Sequence, residues 1–210
     1  FGGTDVQGAV LMNAITGEST YYKEVPNWVD RVFSAELITQ QYNWHGMYVN
    51  GWINSFIGQK GVTVTTEGYN YIAKDDDVYM YTGVTSVASD GSNIGFLLTS
   101  QRTKETKYYA CAGAQETAAM SSAEGIVQYM DYTATFPLLL NISNQPTYFM
   151  ALKDSGGLVK MYAMVNVQQY QLVASGTSVA GCEKNYVNLL ADSNRSEERR
   201  VGKECLRLCR

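Results

Sequence analysis

The sequence predicts an α+β fold built from repeated antiparallel β-hairpin-plus-helix modules, with the helices packed on one face of twisted sheets. Three observations predict it. Short apolar segments alternate with polar residues at period two and end in Gly, Asn, Asp or Ser turns. Two longer stretches carry apolar residues at helical spacing. Gly8–Tyr22 also aligns with Gly95–Tyr109 at an offset of 87, pairing Gly8/Gly95, Leu11/Leu98, Thr16/Thr103, Glu18/Glu105, Tyr21/Tyr108 and Tyr22/Tyr109.

In chain order, a strand is expected from about Val6 to Leu11, turning through Ala14–Gly17 into a second strand that closes on Tyr21-Tyr22. Gly17 can take positive φ in that turn, so the corresponding Arg102-Thr103-Lys104 turn is expected to differ. Pro26 permits a helix start, and Trp28, Val29, Val32, Phe33, Leu37 and Ile38 follow along one helical side. Val62–Thr66 and Tyr69–Ile72 read as strands, as does Val78–Ser86. After the second hairpin, Ala114–Met130 reads as a helix rich in small residues, and Ser34-Ala-Glu36 recurs there as Ser122-Ala-Glu124. A degenerate third copy follows: strand Thr147–Leu152, turn Lys153–Gly157, strand Leu158–Gln168, and a short helix Val179–Leu190.

These elements group into a first module at 1–77, a second at 78–145 and a third at 146–194, leaving 195–210 outside the pattern. The first module carries an aromatic and Gly-rich insertion at 41–77, more than twice the length of its counterpart at 131–145. The first module has no counterpart of the long Val78–Ser86 strand, and the chain opens on Phe1, so a start within a longer polypeptide is expected.

The final stretch, Arg195–Arg210, resembles a translated sequencing-adaptor or vector tail nearly letter for letter through SEERRVGKEC. That resemblance implies a non-native tail with six basic and three acidic residues, so that the preceding 194 carry a net charge of −7 rather than the −4 of the whole chain. An acidic chain of this kind lacks the basic stripe that phosphate contacts require, which argues against nucleic acid as a partner. Without the tail, Cys205 and Cys209 leave the count. Cys111 and Cys182 remain, too few for a disulfide framework or zinc set, though they could bridge or stay as buried thiols.

Few residue groups suggest chemistry. His45, the only histidine, could join Asp75, Asp76 or Asp77 on a metal, but a turn histidine is the simpler reading. The three clustered carboxylates are weak calcium candidates without the alternation of an EF-hand loop, and a solvated turn explains them better. Glu18 and Glu105 could in principle act as acid and base; their recurrence is more simply a pairing role across each hairpin. Cys111 has no histidine at a specified spacing, and no nucleophile elbow, Walker A loop or dinucleotide glycine pattern occurs. Asn141-Ile-Ser143 is a glycosylation sequon only in a eukaryotic secretory context. No catalytic residue and no cofactor are therefore assigned. The aromatics of the insertion, Trp44, Tyr48, Trp52, Tyr69 and Tyr71, form the candidate binding surface, since aromatic rings dominate recognition hot spots.

The hairpin segment Gly8-Ala-Val-Leu-Met-Asn-Ala-Ile-Thr-Gly-Glu18 resembles the PepSY-type module of bacterial cell-surface proteins, over about 15 residues per copy. The whole looks like uncharacterised, membrane-anchored proteins of Gram-positive gut bacteria. The resemblance implies an extracytoplasmic, membrane-associated domain without known chemistry. Its partner would be a protein or the remainder of the same polypeptide, and its anchor would lie in preceding sequence. A non-catalytic binding or assembly role is thus expected, with a peptide- or glycan-binding module and a cell-envelope hydrolase as the alternatives.

Overall fold

A computed structural model describes residues 3–88 and 92–208, with side chains as far as Arg195. The chain is α+β, and its helices pack beside antiparallel sheets. It divides into two compact units, residues 1–112 and 113–210.

The first unit opens with a two-stranded sheet of β1 (Ala9–Met12) and β2 (Ser19–Tyr22), followed by helices α1 (Ala35–Tyr48) and α2 (Trp52–Phe56). Its main sheet has β3 (Thr63–Thr65) and β4 (Asn70–Lys74) side by side on one edge of β5 (Asp77–Ser86). β6 (Asn93–Ser100) lies on the other edge of β5, followed by β7 (Thr106–Gly113). In the second unit, helix α3 (Glu116–Gly125) and a 3-10 turn at Gln128–Met130 precede β8 (Thr133–Ala134) and β9 (Leu138–Ile142), which share one edge of β10 (Gln145–Lys153). β11 (Val159–Asn166) occupies the other edge, then β12 (Val173–Gly176), and helix α4 (Val179–Leu208) ends the unit. Each unit therefore contains the same local order: a short strand, a second strand and a long strand that pairs with both, then the first strand of a hairpin on the far edge.

The hairpins show how the sequence encodes that order. In the first, the Asn13 amide donates to the Glu18 carbonyl and the Gly17 amide to the Asn13 carbonyl, both at 2.8 Å. The Asn13 side chain also accepts from the Ile15 and Thr16 amides. In the second, Ser100 donates to Glu105 and Lys104 to Ser100, both at 2.9 Å, while the Ser100 hydroxyl accepts from Arg102 and Thr103. The expected difference between the two turns is corrected by these bonds: Lys104 takes φ 64°, close to the 74° of Gly17. Left-handed backbone costs a non-glycine residue of order 1 kcal/mol, and here Lys104 is held by Asp5 at 3.1 Å and by the Phe33 ring. A second shared feature ties each tyrosine to a glycine. Tyr21 donates to the Gln7 carbonyl across the Cα of Gly8, and Tyr108 to the Ile94 carbonyl across Gly95. A Cβ on Gly8 would lie 2.6 Å from the Tyr21 hydroxyl, and one on Gly95 would lie 2.4 Å from that of Tyr108.

The first helix begins later than expected. Pro26–Ser34 is irregular because tertiary bonds claim its backbone: the Val32 and Phe33 amides both donate to the Gln101 carbonyl at 2.9 Å, and Gln101 returns a bond to the Phe33 carbonyl. Arg102 reaches the Asn27 carbonyl and the Asp30 carboxylate from the same strand end. Ser34, extended at φ −72°, ψ 154°, then caps the helix by accepting from the Leu37 amide. Ala35, Ile38, Tyr42 and Gly46 follow at spacings of three and four, and Ala35, Ile38 and Met80 form a core cluster with Phe33, Tyr69 and Tyr71 at its border. In the second unit, Met164, Ala174, Cys182, Tyr186 and Leu190 form the corresponding cluster between α4 and the sheet. The Tyr186 hydroxyl inside it accepts from Asn166 and Thr147, so the buried oxygen is satisfied. α3 is shorter than the expected Ala114–Met130 span, and its fully buried Ala119 and Ala123 bring it close to the sheet. The proposed tail continues α4 as backbone to Leu208; the side chains of 196–208, Cys205 included, and all of Cys209 lie outside the described residues.

Candidate binding surface

The loop after α1 is built to be rigid and to face outward. The Val49 amide donates to His45 and the Gly51 amide to Tyr48, closing the helix, and Gly51 at φ 97° reverses the chain into α2. Side-chain amides then clamp the return. Asn50 donates to the Gly61 carbonyl, Asn54 both donates to the Lys60 carbonyl and accepts from its amide, and Gln59 donates to the Ser55 carbonyl. Val62, almost fully buried, anchors the far end.

On this frame the usual helix polarity is inverted. Ser55 is the buried residue of α2, its hydroxyl donating to the Trp52 carbonyl at 2.6 Å, whereas the four large apolar side chains around it are exposed. Exposure is 68% for Trp52, 67% for Ile53, 62% for Phe56 and 73% for Ile57. Trp52 and Phe56 meet edge to face at 5.4 Å, and Tyr48 and Val49 extend the exposed run from the end of α1. Between Thr39 and Thr66 there is no carboxylate, and Lys60 and His45 are the only basic side chains, so the corner is nearly uncharged.

The five aromatics of the insertion separate into two groups. Tyr48 and Trp52 lie at the exposed corner. Trp44 is half-buried, with its ring against Gly3, where a Cβ would approach to 2.5 Å. Tyr69 and Tyr71 are half-buried, stack edge to face at 5.6 Å and border the α1 core. The Tyr69 hydroxyl makes a short hydrogen bond to the Glu36 carboxylate, which holds Glu36 below its ordinary value and pushes Tyr69 up to about 12. The Arg31 guanidinium lies over the Tyr71 ring at 4.7 Å. Ile53, Phe56 and Ile57 were not among the residues singled out from sequence, although their signal was visible as an apolar run around Asn54 and Ser55 with no helix-length partner face.

The acidic run serves a turn. Lys74 pairs with Asp77 across a two-residue loop in which Asp75 and Asp76 take φ 52° and 60°, the positive values a type I′ hairpin needs. Ser143 and Asn144 do the same between β9 and β10. Asp77 instead binds the Arg102 Nε at 2.5 Å, and Asp30 binds its Nη2 at 2.5 Å. Among the described residues no three His, Cys, Asp or Glu side chains are grouped to hold a metal.

His45 is exposed and borders an open groove of about 240 Å³ with Tyr42, Thr99 and Lys104. Glu105 is paired only loosely with Lys107, at 3.8 Å across exposed surface. Cys111 and Cys182 are free thiols; burial raises both, Cys182 to about 11. A neutral, buried thiol is a poor nucleophile. Compared with known protein families, curated proteins and solved structures, the chain has no match.

Proposed function

We propose that the chain is a non-catalytic module that binds a protein partner through the α1–α2 corner, within a membrane-associated extracytoplasmic assembly. The observation that carries the binding role is the inversion in α2: serine inward, Trp52, Ile53, Phe56 and Ile57 outward, on a loop fixed by asparagine side chains. Exposed apolar clusters of this kind cost solubility and mark interaction surfaces, and Trp and Phe are the side chains that anchor interface hot spots. A protein partner is favoured over a lipid surface because α2 has five residues and no basic face. The resemblance of Gly8–Glu18 to the PepSY-type module, and of the whole chain to membrane-anchored proteins of Gram-positive bacteria, supports the extracytoplasmic location and membrane attachment.

The test is photo-crosslinking from a benzophenone placed at Ile53 in cell-envelope extract, followed by affinity measurement with the purified crosslinked protein. Replacing Trp52 and Phe56 together by Ser is expected to weaken that affinity by about 100-fold. Equal affinity of the double variant would overturn the reading. So would blue-shifted Trp emission on mixing with phosphatidylcholine vesicles, which would assign the corner to lipid.

A further inference from the structure

Among the described residues the aligned hairpins differ at their outer edges: the second has a strand there and the first does not. In β6, the Ser100 amide bonds to β7 and the Gln101 amide to the Val78 carbonyl, so by antiparallel alternation Leu97 and Thr99 direct their backbone groups toward β5. Their partners there are Thr82 and Met80. In β1 the Asn13 amide bonds to β2 in the same way, so Val10 and Met12, aligned with Leu97 and Thr99, direct theirs away from β2. Among the described residues no strand lies there: β1 and β2 form a sheet of two. The side chains differ as well. Leu97 is 1% and Thr99 0% exposed, against 65% for Val10 and 67% for Met12. β11 repeats the complete arrangement, with β10 on one edge and β12 on the other.

We propose that the outer edge of β1 is an acceptor for an extended antiparallel strand of the β5/β10 kind, supplied by a further module of this architecture. The occupant is specified by what fills the same place twice in this chain: a strand with an uncharged interior of apolar and hydroxyl-bearing residues, 78–86 in β5 and 146–152 in β10. A second folded copy is the wrong donor, because both edges of its β5 and β10 are already paired. Backbone bonds from Val10 and Met12 would supply affinity, and covering their side chains would supply the remainder. This edge is separate from the α1–α2 corner.

The probe is a synthetic peptide of the β5 sequence Asp77–Ser86 flanked by lysines, titrated into the isotopically labelled full chain. Amide exchange of Val10 and Met12 is expected to slow by at least about tenfold at saturation, with Leu11 unchanged. A peptide carrying Thr82→Pro, which cannot present that donor, is expected to bind at least about tenfold more weakly. Met12→Pro in the protein removes an outward donor while sparing the β2-facing Leu11 and Asn13, and should weaken binding likewise. No protection at about 1 mM peptide, or equal protection by the Thr82→Pro peptide, would overturn the proposal. Concentration-dependent protection of Val10 and Met12 without peptide would also overturn it, by making a second copy the occupant. Replacing Trp52 and Phe56 by Ser leaves this binding unchanged, which keeps it distinct from the proposed corner function.

Discussion

Gly46→Ala tests the seat of α1 on β3, and therefore the platform of the exposed corner. Alanine is the better helix former by about 1 kcal/mol, so an unpacked site would gain stability. Gly46 is not unpacked. A Cβ there would lie 2.2 Å from the Thr63 carbonyl oxygen and 2.8 Å from its hydroxyl, and the obstruction is backbone, which cannot rotate away. Relieving it requires the helix to retreat by about 1 Å. That movement acts on the Asn43–Thr65 pair, in which Thr65 donates to Asn43 at 2.7 Å and Asn43 returns a bond at 3.2 Å, and on the Tyr42–Thr63 contact at 3.3 Å. Losing two such bonds costs about 1 kcal/mol each, and overpacking about 1–3 kcal/mol more. Against the propensity gain, the net is a destabilisation of about 2–4 kcal/mol, or about 8–16 °C at roughly 4 °C per kcal/mol for a unit of this size. Trp28, Trp44 and Trp52 all belong to the first unit, so urea unfolding followed by Trp fluorescence reads it selectively. Gly125→Ala is the control of opposite sign. It closes α3 with nothing within 4 Å of its Cβ and without positive φ, so alanine should stabilise the second unit by about 0.5–1 kcal/mol. A Gly46→Ala variant as stable as the parent would refute the close helix–strand approach.

The remaining predictions concern charge, turns and the end of the chain. Glu36 is held low and Tyr69 raised to about 12, so their bond stabilises the first unit from above the unfolded carboxylate range to about pH 10. It is lost as pH falls through the folded Glu36 value and as pH rises toward 12; Tyr69→Phe should therefore lower Tm at pH 7, with the difference shrinking as acid protonates the folded Glu36 carboxylate. Asp75→Asn with Asp76→Gly supplies the residues a type I′ turn prefers and should raise stability by about 0.5–1 kcal/mol, and calcium should leave Tm unchanged. A calcium-dependent rise in the parent that disappears in the variant would restore the metal reading. Arg102→Gln releases Asp77, Asp30 and the Asn27 carbonyl together, and limited proteolysis should then cut first within Pro26–Ser34. Truncation after Asn194 should leave the unfolding transition unchanged, and a loss of several degrees would count against a foreign tail.

Much of the fold was legible because its strands are marked by local chemistry. Alternating residues and Gly, Asn or Asp turns identify β3 to β6 and the β10–β11 hairpin within a few residues, and the recurrence of Gly8/Gly95 with Tyr21/Tyr108 has a stereochemical cause, a ring lying over a bare Cα. What escaped was set at long range. Trp28, Val29, Val32 and Phe33 carry helical spacing, yet Gln101 and Arg102, about seventy residues on, claim the backbone of that segment. Lys104 can occupy a glycine conformation because Asp5 and Phe33 hold its ammonium group. The five insertion aromatics are equivalent by composition, and the structure separates them by neighbours: Tyr69 against Glu36, Trp44 against Gly3, Trp52 against solvent.

Residue type and environment come apart most clearly in the paired hairpins. Val10 and Leu97 are both aliphatic, occupy aligned positions and point their backbone the same way relative to their hairpin partners, yet one is 65% and the other 1% exposed. Neither hydropathy nor β-propensity can account for that contrast, since both favour burial of either residue. At the aligned positions that leave Met12 67% exposed, the second hairpin buries a threonine completely, the reverse of what polarity alone dictates. Surroundings therefore decide burial: Leu97 and Thr99 lie beside β5 and share a groove with Ile38, Gln41 and Tyr42 of α1, whereas among the described residues no strand flanks Val10 and Met12. The same logic separates the edge from the corner: at β1 the covering element has two precedents in the chain, whereas at α2 the inward Ser55 means that burying Trp52 and Phe56 requires a surface that the described fold does not contain.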